Sequence, residues 1–352
     1  MKKLNVLIFF GGCSPEYSVS LSSASGVILN LDREKYNPLT VGITQKGTWY
    51  YYTGPVDKLL NDTWQNPRDC TPAALSQNRE DRSLLLLKEN GIEHLPIDIA
   101  FPVLHGGNGE DGTIQGLLEL AGIPIAGCGT LASALGMDKD RAHKLVKLEG
   151  IRVPQHLVLV RDTPFSQARE FAAKIGYPIY VKPVKAGSSY GVTKISGQEQ
   201  LSAAIELAFQ YDNQALLEEN IEGFEVGCAV LGNNQLITGE VDEIELSGGF
   251  FDFTEKYTLK TSAIHVPARI DSAKAAEIKE KAKCIYKALG CSGFARVDMF
   301  LTPEGDVVFN EVNTIPGFTD HSRYPGMMKA AGYSFREVLT RILELALEND
   351  CR

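Results

Sequence analysis

What this sequence has little of narrows its role before anything else does. Its seven cysteines (Cys13, Cys70, Cys128, Cys228, Cys284, Cys291 and Cys351) are scattered, odd in number and never in a CxxC pair. That pattern supports neither a disulfide framework nor a thiolate zinc site. Positive charge is short as well: the formal net charge is −9 and no basic run occurs, which argues against a nucleic-acid partner. No apolar run is long enough for a membrane span. After Met1-Lys2-Lys3, Asn5 and the Gly11-Gly12 turn break the stretch that a signal peptide needs. A cytoplasmic protein with no membrane partner is therefore expected. Internal repeats and low-complexity runs are missing too.

What is present is ample apolar content, 44% of 352 residues, with 22% charged residues, enough for two or three domains with real cores. Leu4 to Phe10 reads as a short buried strand. It runs into Gly11-Gly12-Cys13-Ser14-Pro15-Glu16 and a helix through Val19, Leu21, Ala24, Val27 and Leu31, with Ser14 as cap and Pro15 at its first position. This turn lacks GxGxxG spacing, so a nicotinamide site is rejected there. Glu16 is either an acid favoured by the helix dipole or a carboxylate placed to hold an ammonium group. Thr40 to Thr44 and Gly47 to Tyr52 read as a hairpin, and residues 54–95 as a polar surface excursion. Ile97 to Leu104 is a second buried strand, leading through the glycine-rich turn His105 to Gly112 into a helix over Thr113 to Leu120. His105 is either a ligand contact or a histidine satisfying local backbone.

Further on, Met137-Asp138-Lys139 opens an amphipathic helix to Leu148, and strands and helices alternate up to residue 221. The loop Gly187-Ser188-Ser189-Tyr190-Gly191 offers N–H and hydroxyl donors without bulk, suited to folding over phosphates. It is not a Walker loop. Lys139 and Lys182 lie where ammonium groups reach the same phosphates. Glu218, Glu219 and Glu225 are either solvated strand edges or acceptors for a purine amino group and ribose hydroxyls. Residues 247–261 mix glycine, aromatics and charge without a period, as a closing loop does. Ser272 caps a helix to about Leu289, and a last amphipathic helix covers about 333–348.

Between those two helices lies the densest chemistry. In Ala295 to Phe300, Arg296 and Asp298 alternate onto one strand face; in Val307 to Asn313, Glu311 and Asn313 do the same. If the strands pair, Asp298, Glu311 and Asn313 make an oxygen cluster of the kind Mg²⁺ prefers, with a guanidinium beside it.

In order and over nearly the whole chain, these residues resemble the D-alanine–D-alanine ligase family. The match is carried by Gly11-Gly12, Glu16, Val19-Ser20-Leu21, His105-Gly106, Glu110-Asp111-Gly112, Met137-Asp138-Lys139, Val181-Lys182-Pro183, Gly187-Ser188-Ser189, Lys256-Tyr257, Arg296-Val297-Asp298, Glu311-Val312-Asn313 and Pro316-Gly317. The resemblance implies an α/β (α+β) ATP-grasp fold in three domains, 1–127, 128–221 and 222–352, with ATP between the central and C-terminal ones. By position, Lys139, Lys182, Ser189 and Lys256 would meet ATP phosphates, and Glu218, Glu219, Ile221 and Glu225 the adenosine. Asp298, Glu311 and Asn313 would bind two Mg²⁺, with Mn²⁺ as a substitute. Glu16, Ser188 and Tyr257 would form a triad linking first domain, lid and loop. Glu16, Val19 and His105 would hold the first D-alanine, and Arg296 with the Gly317 N–H would form an oxyanion hole. A homodimer is the family's usual state.

At the second substrate the sequence departs from the housekeeping pattern. Ser322-Arg323-Tyr324-Pro325, with Asp242 and Phe251, is similar to the D-alanine–D-serine ligases of vancomycin resistance, and Tyr257 argues against the D-lactate branch. The resemblance thus implies D-alanine and D-serine as substrates. The alternatives are a housekeeping D-alanine–D-alanine ligase with Arg323 on its surface and, more remotely, a nucleotide-binding protein without turnover.

Overall fold

The computed structural model describes residues 2–246, 262–319 and 321–350. The first part of the chain runs β1 (Leu4–Gly11), α1 (Tyr17–Asn30), β2 (Tyr36–Ile43), β3 (Trp49–Tyr52), the short α2 (Asp57–Leu60), β4 (Cys70–Leu75), β5 (Ser83–Lys88), β6 (Gly91–Pro96) and β7 (Ile99–Pro102). Its strands make one sheet in the order β6-β5-β4-β3-β2-β1-β7, with β1 parallel to both neighbours and the others antiparallel. The unbroken apolar run of β1 follows from burial on both sides: Val6, Ile8 and Phe10 enter one core, Leu7 and Phe9 another. The stretch expected as a surface excursion supplies three strands. Two of them hide their signal, because Ser83–Lys88 has four leucines without alternation and β4 contains Pro72. Helix α1 starts at Tyr17, later than expected; Ser14 instead accepts from Glu16 N–H at 3.1 Å in the turn before it.

Next come α3 (Thr113–Leu120), α4 (Thr130–Met137), α5 (Lys139–Leu148), β8 (His156–Val160), α6 (Phe165–Ile175), β9 (Ile179–Pro183), β10 (Thr193–Ile195), α7 (Leu201–Ala208) and β11 (Gln214–Glu219). The strands form an antiparallel sheet, β10-β9-β11-β8, over a core of its own that includes Leu159, Ile179, Val181, Leu201 and Leu217.

The remaining elements are β12 (Phe224–Leu231), β13 (Ile237–Thr238), β14 (Asp242–Leu246), β15 (Ser262–His265), α8 (Ser272–Ala288), β16 (Phe294–Leu301), β17 (Val307–Asn313), α9 (Arg323–Ala330) and α10 (Phe335–Asp350). They build a third sheet, β15-β14-β12-β16-β17, with β13 against β12. Asp271, not Ser272, caps α8, accepting from Lys274 N–H at 2.8 Å. Two cores cross between these parts. Ala132, Ala142 and Val146 of α4 and α5 pack with Ile278, Val297 and Phe309. The α1 face of the first sheet packs with Phe294, Phe318, Tyr324 and the apolar stripe of α10, Val338 to Ala346. Phe101, Phe294 and Phe318 meet edge-on, 5.3 to 5.9 Å between centroids. No helix among the described residues is long and apolar enough to cross a membrane.

Candidate functional site

Two cavities share a wall formed by Lys139, Ala186 and Glu311. The larger chemical variety lies in a cavity of ≈ 590 Å³ where all three sheets contribute. From the β1–α1 turn come Glu16 and Val19, from the β7–α3 turn His105 and Glu110, and from the loop after β9 Ser188. Arg296, Glu311 and Asn313 form the floor; Gly317, Ser322 and Arg323 close the far end.

Glu16 is buried and accepts a hydrogen bond from the Ser188 hydroxyl. Ser188 and Ser189 take φ of +48° and +60°, a left-handed conformation uncommon outside glycine and frequent in functional loops. Gly187 lets that loop come close: a Cβ there would lie 2.9 Å from Glu16 Oε2. His105 is held by Ser23 Oγ at 3.0 Å from its Nε2, and burial pushes its pKa down to about 4, so it is neutral at pH 7. Glu110 Oε2 accepts from Gly106 N–H at 2.8 Å. Although partly open to the cavity, its carboxyl is surrounded by protein. This desolvation, with the Glu16 charge added, pushes it up to about 8.

The floor depends on a break in strand pairing. On β16, Ala295, Val297 and Met299 enter the core while Arg296 and Asp298 face the other way. On β17, strict alternation would put Phe309 and Glu311 on one face. The ladder instead pairs Asp298 with Glu311 and Met299 with Phe309, skipping Asn310. This bulge keeps Phe309 and Val312 in the core and turns Glu311 and Asn313 to the cavity. The carbonyl of the bulged Asn310 accepts from buried His143 Nε2 on α5, at 2.9 Å.

The oxygen cluster expected from the sequence is partly sunk. Glu311 and Asn313 line the cavity, whereas Asp298, only 1% exposed, lies beneath it. Arg296 donates Nε and Nη2 to Asp298 at 2.8 and 2.7 Å, and Asn313 Nδ2 donates at 2.9 Å. Among the described residues no group of three or more His, Cys, Asp or Glu is placed to hold a metal ion. The donor set, two carboxylates in register and a carboxamide oxygen, nevertheless fits a hard divalent cation that keeps most of its sites for phosphate and water.

The second cavity, ≈ 620 Å³, lies between the second and third sheets and is lined by Lys182, Ser189, Glu218, Ile221 and Glu225 with Lys139 at its inner end. Lys182 Nζ donates to Glu218 Oε1 at 2.6 Å, and both side chains are nearly fully buried. Burial alone would raise the Glu218 carboxyl; Lys182 and His143 reverse this and hold it below its ordinary value. Lys139 Nζ donates to Ala186 O at 2.7 Å and lies 3.9 Å from Glu311. Glu219 is not brought here by its side chain. It follows Glu218 on β11 and so points to the other face, where it accepts from Gln155 N–H at 2.9 Å.

The Arg323 side chain, at the start of α9, is only 8% exposed and held by three hydrogen bonds, which leaves part of its five-donor fork for the cavity it lines. Its Nε and Nη2 donate to the two oxygens of Asp242 at 2.7 and 2.8 Å, and its Nη1 donates to Glu225 Oε1 at 2.7 Å. Burial disfavours the charge, but Asp242, Asp298 and Glu225 keep the guanidinium firmly protonated. Asp242, wholly buried, does not reach the cavity and touches it through Arg323. Ser322 Oγ accepts from Thr319 N–H at 3.0 Å. Phe251, Lys256 and Tyr257 lie outside the described residues.

Sequence reasoning passed over three residues here, Ser23, His143 and Gly227, and quoted Glu110 within a motif without giving it a role. Gly227 alone carried a usable signal, as an isolated glycine inside a strand marks close approach. Gly107 to Gly112 also spells GxGxxG between β7 and α3, yet this turn serves to aim Glu110 into the cavity.

Two family descriptions match the chain: D-ala D-ala ligase N-terminus over residues 5–128, and D-ala D-ala ligase C-terminus over residues 145–344. The crystal structure of VanG D-Ala:D-Ser ligase from Enterococcus faecalis superposes with a TM-score of 0.91 at 55% identity, covering 98% of this chain and 100% of that one. Vancomycin/teicoplanin A-type resistance protein VanA of Enterococcus faecium is 45% identical over 353 residues, 99% of this chain and 100% of its own. A putative D-alanine–D-lactate ligase of Streptomyces coelicolor is also 45% identical, over 357 residues and 100% of both chains.

Proposed function

The chain belongs to the D-alanine–D-alanine ligase family and has its ATP-grasp fold, and we propose that within this family it joins D-alanine to D-serine. The observation that carries the reading is Arg323 at the far end of the substrate cavity, clamped by Asp242. A fixed guanidinium gives the hydroxyl of D-serine a partner, and the methyl of D-alanine none. A subsite built around a polar group discriminates well because a wrong ligand leaves that group unpaired. VanG, the structural relative at 55% identity, is a D-Ala:D-Ser ligase, which is the same pair of substrates.

In this reading the three units divide near residues 127 and 221, as the three sheets suggest, with α4 and α5 lending side chains to the third. ATP occupies the ≈ 620 Å³ cavity, its phosphates near Lys139, Lys182 and Ser189, with Lys256 from the loop. Glu218, Ile221 and Glu225 take the adenosine end. Glu311, Asn313 and Asp298 hold two Mg²⁺, for which Mn²⁺ can substitute, and these cations supply charge neutralisation for the phosphate oxygens. Glu16, with Val19 and His105 nearby, holds the ammonium of the first D-alanine, and Ser188 and Tyr257 tie the lid and the loop to it.

The carboxylate of that D-alanine attacks the γ-phosphorus, a C–O–P linkage forms and ADP leaves. The amine of D-serine then attacks the acyl carbon. Arg296 and the Gly317 N–H stabilise the tetrahedral oxyanion, phosphate departs, and the amine proton is lost as the C–N bond forms. Closure of the Ser188 loop keeps water from the acyl phosphate. A precursor ending in D-serine would offer vancomycin a poorer ligand, in line with the resistance name of the VanA relative.

The test is kcat/KM for D-serine and for D-alanine as second substrate, with ATP, Mg²⁺ and first-site D-alanine saturating, in wild type and Arg323→Leu. A preference for D-serine of roughly tenfold or more that collapses in the variant is expected, the range a lost buried hydrogen bond allows. Preference for D-alanine in both proteins would replace this reading with a housekeeping ligase.

A further inference from the structure

The guanidinium that closes the substrate cavity also reaches the other cavity. Arg323 lines the ≈ 590 Å³ space and Glu225 the ≈ 620 Å³ one, and Arg323 Nη1 donates to Glu225 Oε1 at 2.7 Å. Asp242 grips the opposite edge of the same guanidinium through two hydrogen bonds, and Nη2 stands 3.4 Å from Asp298 Oδ1. Three carboxylates on three strands thus fix one planar cation. The slot exists because Gly227 has no side chain: a Cβ there would come within 2.4 Å of Arg323 Nη2 and 2.6 Å of Asp242 Oδ1. Gly227 pairs with Asp242 on one side and Asp298 on the other, so it is the floor between them.

We propose that Glu225, Arg323 and Gly227 form a coupling element through which the nucleotide cavity and the second-substrate subsite sense each other, with Glu225 a positioning residue for second-substrate choice. The inference rests on the role given to Arg323 above and extends it to regulation of the same site. Asp242, with Asp298 at 3.4 Å, holds one edge of the guanidinium; Glu225 holds the Nη1 side and so helps to set the direction of the remaining N–H groups. Conversely, Arg323 sets the orientation of the Glu225 carboxylate on the nucleotide side. A ligand that engages Glu225 therefore changes the field at Arg323, and linkage makes the effect reciprocal.

The experiment measures ADP affinity by calorimetry in the presence of Mg²⁺, with and without D-serine, for wild type, Glu225→Gln, Arg323→Lys and the double variant. The kcat/KM ratio for D-serine over D-alanine is measured in parallel. Arg323→Lys is expected to weaken ADP about fivefold although it lies outside the nucleotide cavity, within the 5- to 150-fold span usual for coupled sites. Glu225→Gln should lower the D-serine to D-alanine ratio by a similar factor, and the double variant should be no worse than the weaker single one. Gly227→Ala, which keeps every charged group but crowds the Arg323–Asp242 pair, should weaken ADP likewise, and it decides the matter if Arg323→Lys does not fold. ADP affinity within about twofold of wild type in Arg323→Lys and Gly227→Ala, with the single effects adding, would overturn the coupling. The ADP arm needs no second substrate, so it still decides the coupling if the protein turns out to prefer D-alanine.

Discussion

Glu110 is the carboxyl whose ionisation the fold controls most directly. Burial first, and then the neighbouring Glu16 charge, raise it from an ordinary 4.5 to about 8. Between those values the folded protein keeps a proton that the unfolded chain has released. Stability contributed by protonated Glu110 is complete below about 4.5 and is lost as pH rises through about 8. Glu110→Gln has no proton to lose, so its Tm relative to wild type should climb as pH goes from 5 to 8; parallel curves for the two proteins would contradict this. The sequence made Glu16 and His105 legible because each stands at a strand–helix turn. Glu110 was visible only as part of a motif, since its shift comes from atoms far away in sequence. The same holds for Arg323: the residue stands out in the sequence, but its partner Glu225 lies 98 positions away, and nothing in the sequence links the two.

At the scale of elements, the β16–β17 hairpin was legible where alternation held and not where it failed. Arg296 and Asp298 follow period two, and so do Glu311 and Asn313. The step from Phe309 to Glu311 conflicts with it, and that conflict is the imprint of the bulge at Asn310. Burial pushes the His143 pKa down to about 4, so at pH 7 the ring is neutral, with its proton on the nitrogen facing the Asn310 carbonyl. His143→Phe removes that donor, at a cost of about 1–3 kcal/mol if the carbonyl stays buried without a partner. Loss of the pin should also let Glu311 drift, so the variant should need more Mg²⁺ for half-maximal rate, while His143→Gln, which retains a donor, should need less extra. Urea melts and Mg²⁺ titrations of the rate check both. An unchanged Mg²⁺ requirement in His143→Phe would show that the bulge holds itself. Strands β4 to β6 escaped for the opposite reason: their apolar residues lack a period, and position in the sheet, rather than pattern, makes them strands.

For the whole molecule, the decisive packing is between the first sheet and α10. Val338, Leu339, Ile342, Leu343, Leu345 and Ala346 are all nearly or fully buried in the core that also holds Val6, Ile8 and Phe10. At about 1.5–3 kcal/mol for each large apolar side chain, their burial rivals the 5–15 kcal/mol net stability of a typical protein. A chain ending at residue 334 should therefore lose its cooperative melt and bind a hydrophobic dye; a sharp urea transition in that truncation would show that the first sheet stands alone. The sequence made α10 readable as an amphipathic helix but was silent on which sheet it covers, because a stripe of leucines carries no address. That docking also sets a timetable during synthesis. Ribosomes add about 5–20 residues each second. The first sheet therefore emerges roughly ten seconds or more before the helix that seals it, and until then the face it shares with α1 is only partly covered and accessible to chaperones or to a neighbouring nascent chain.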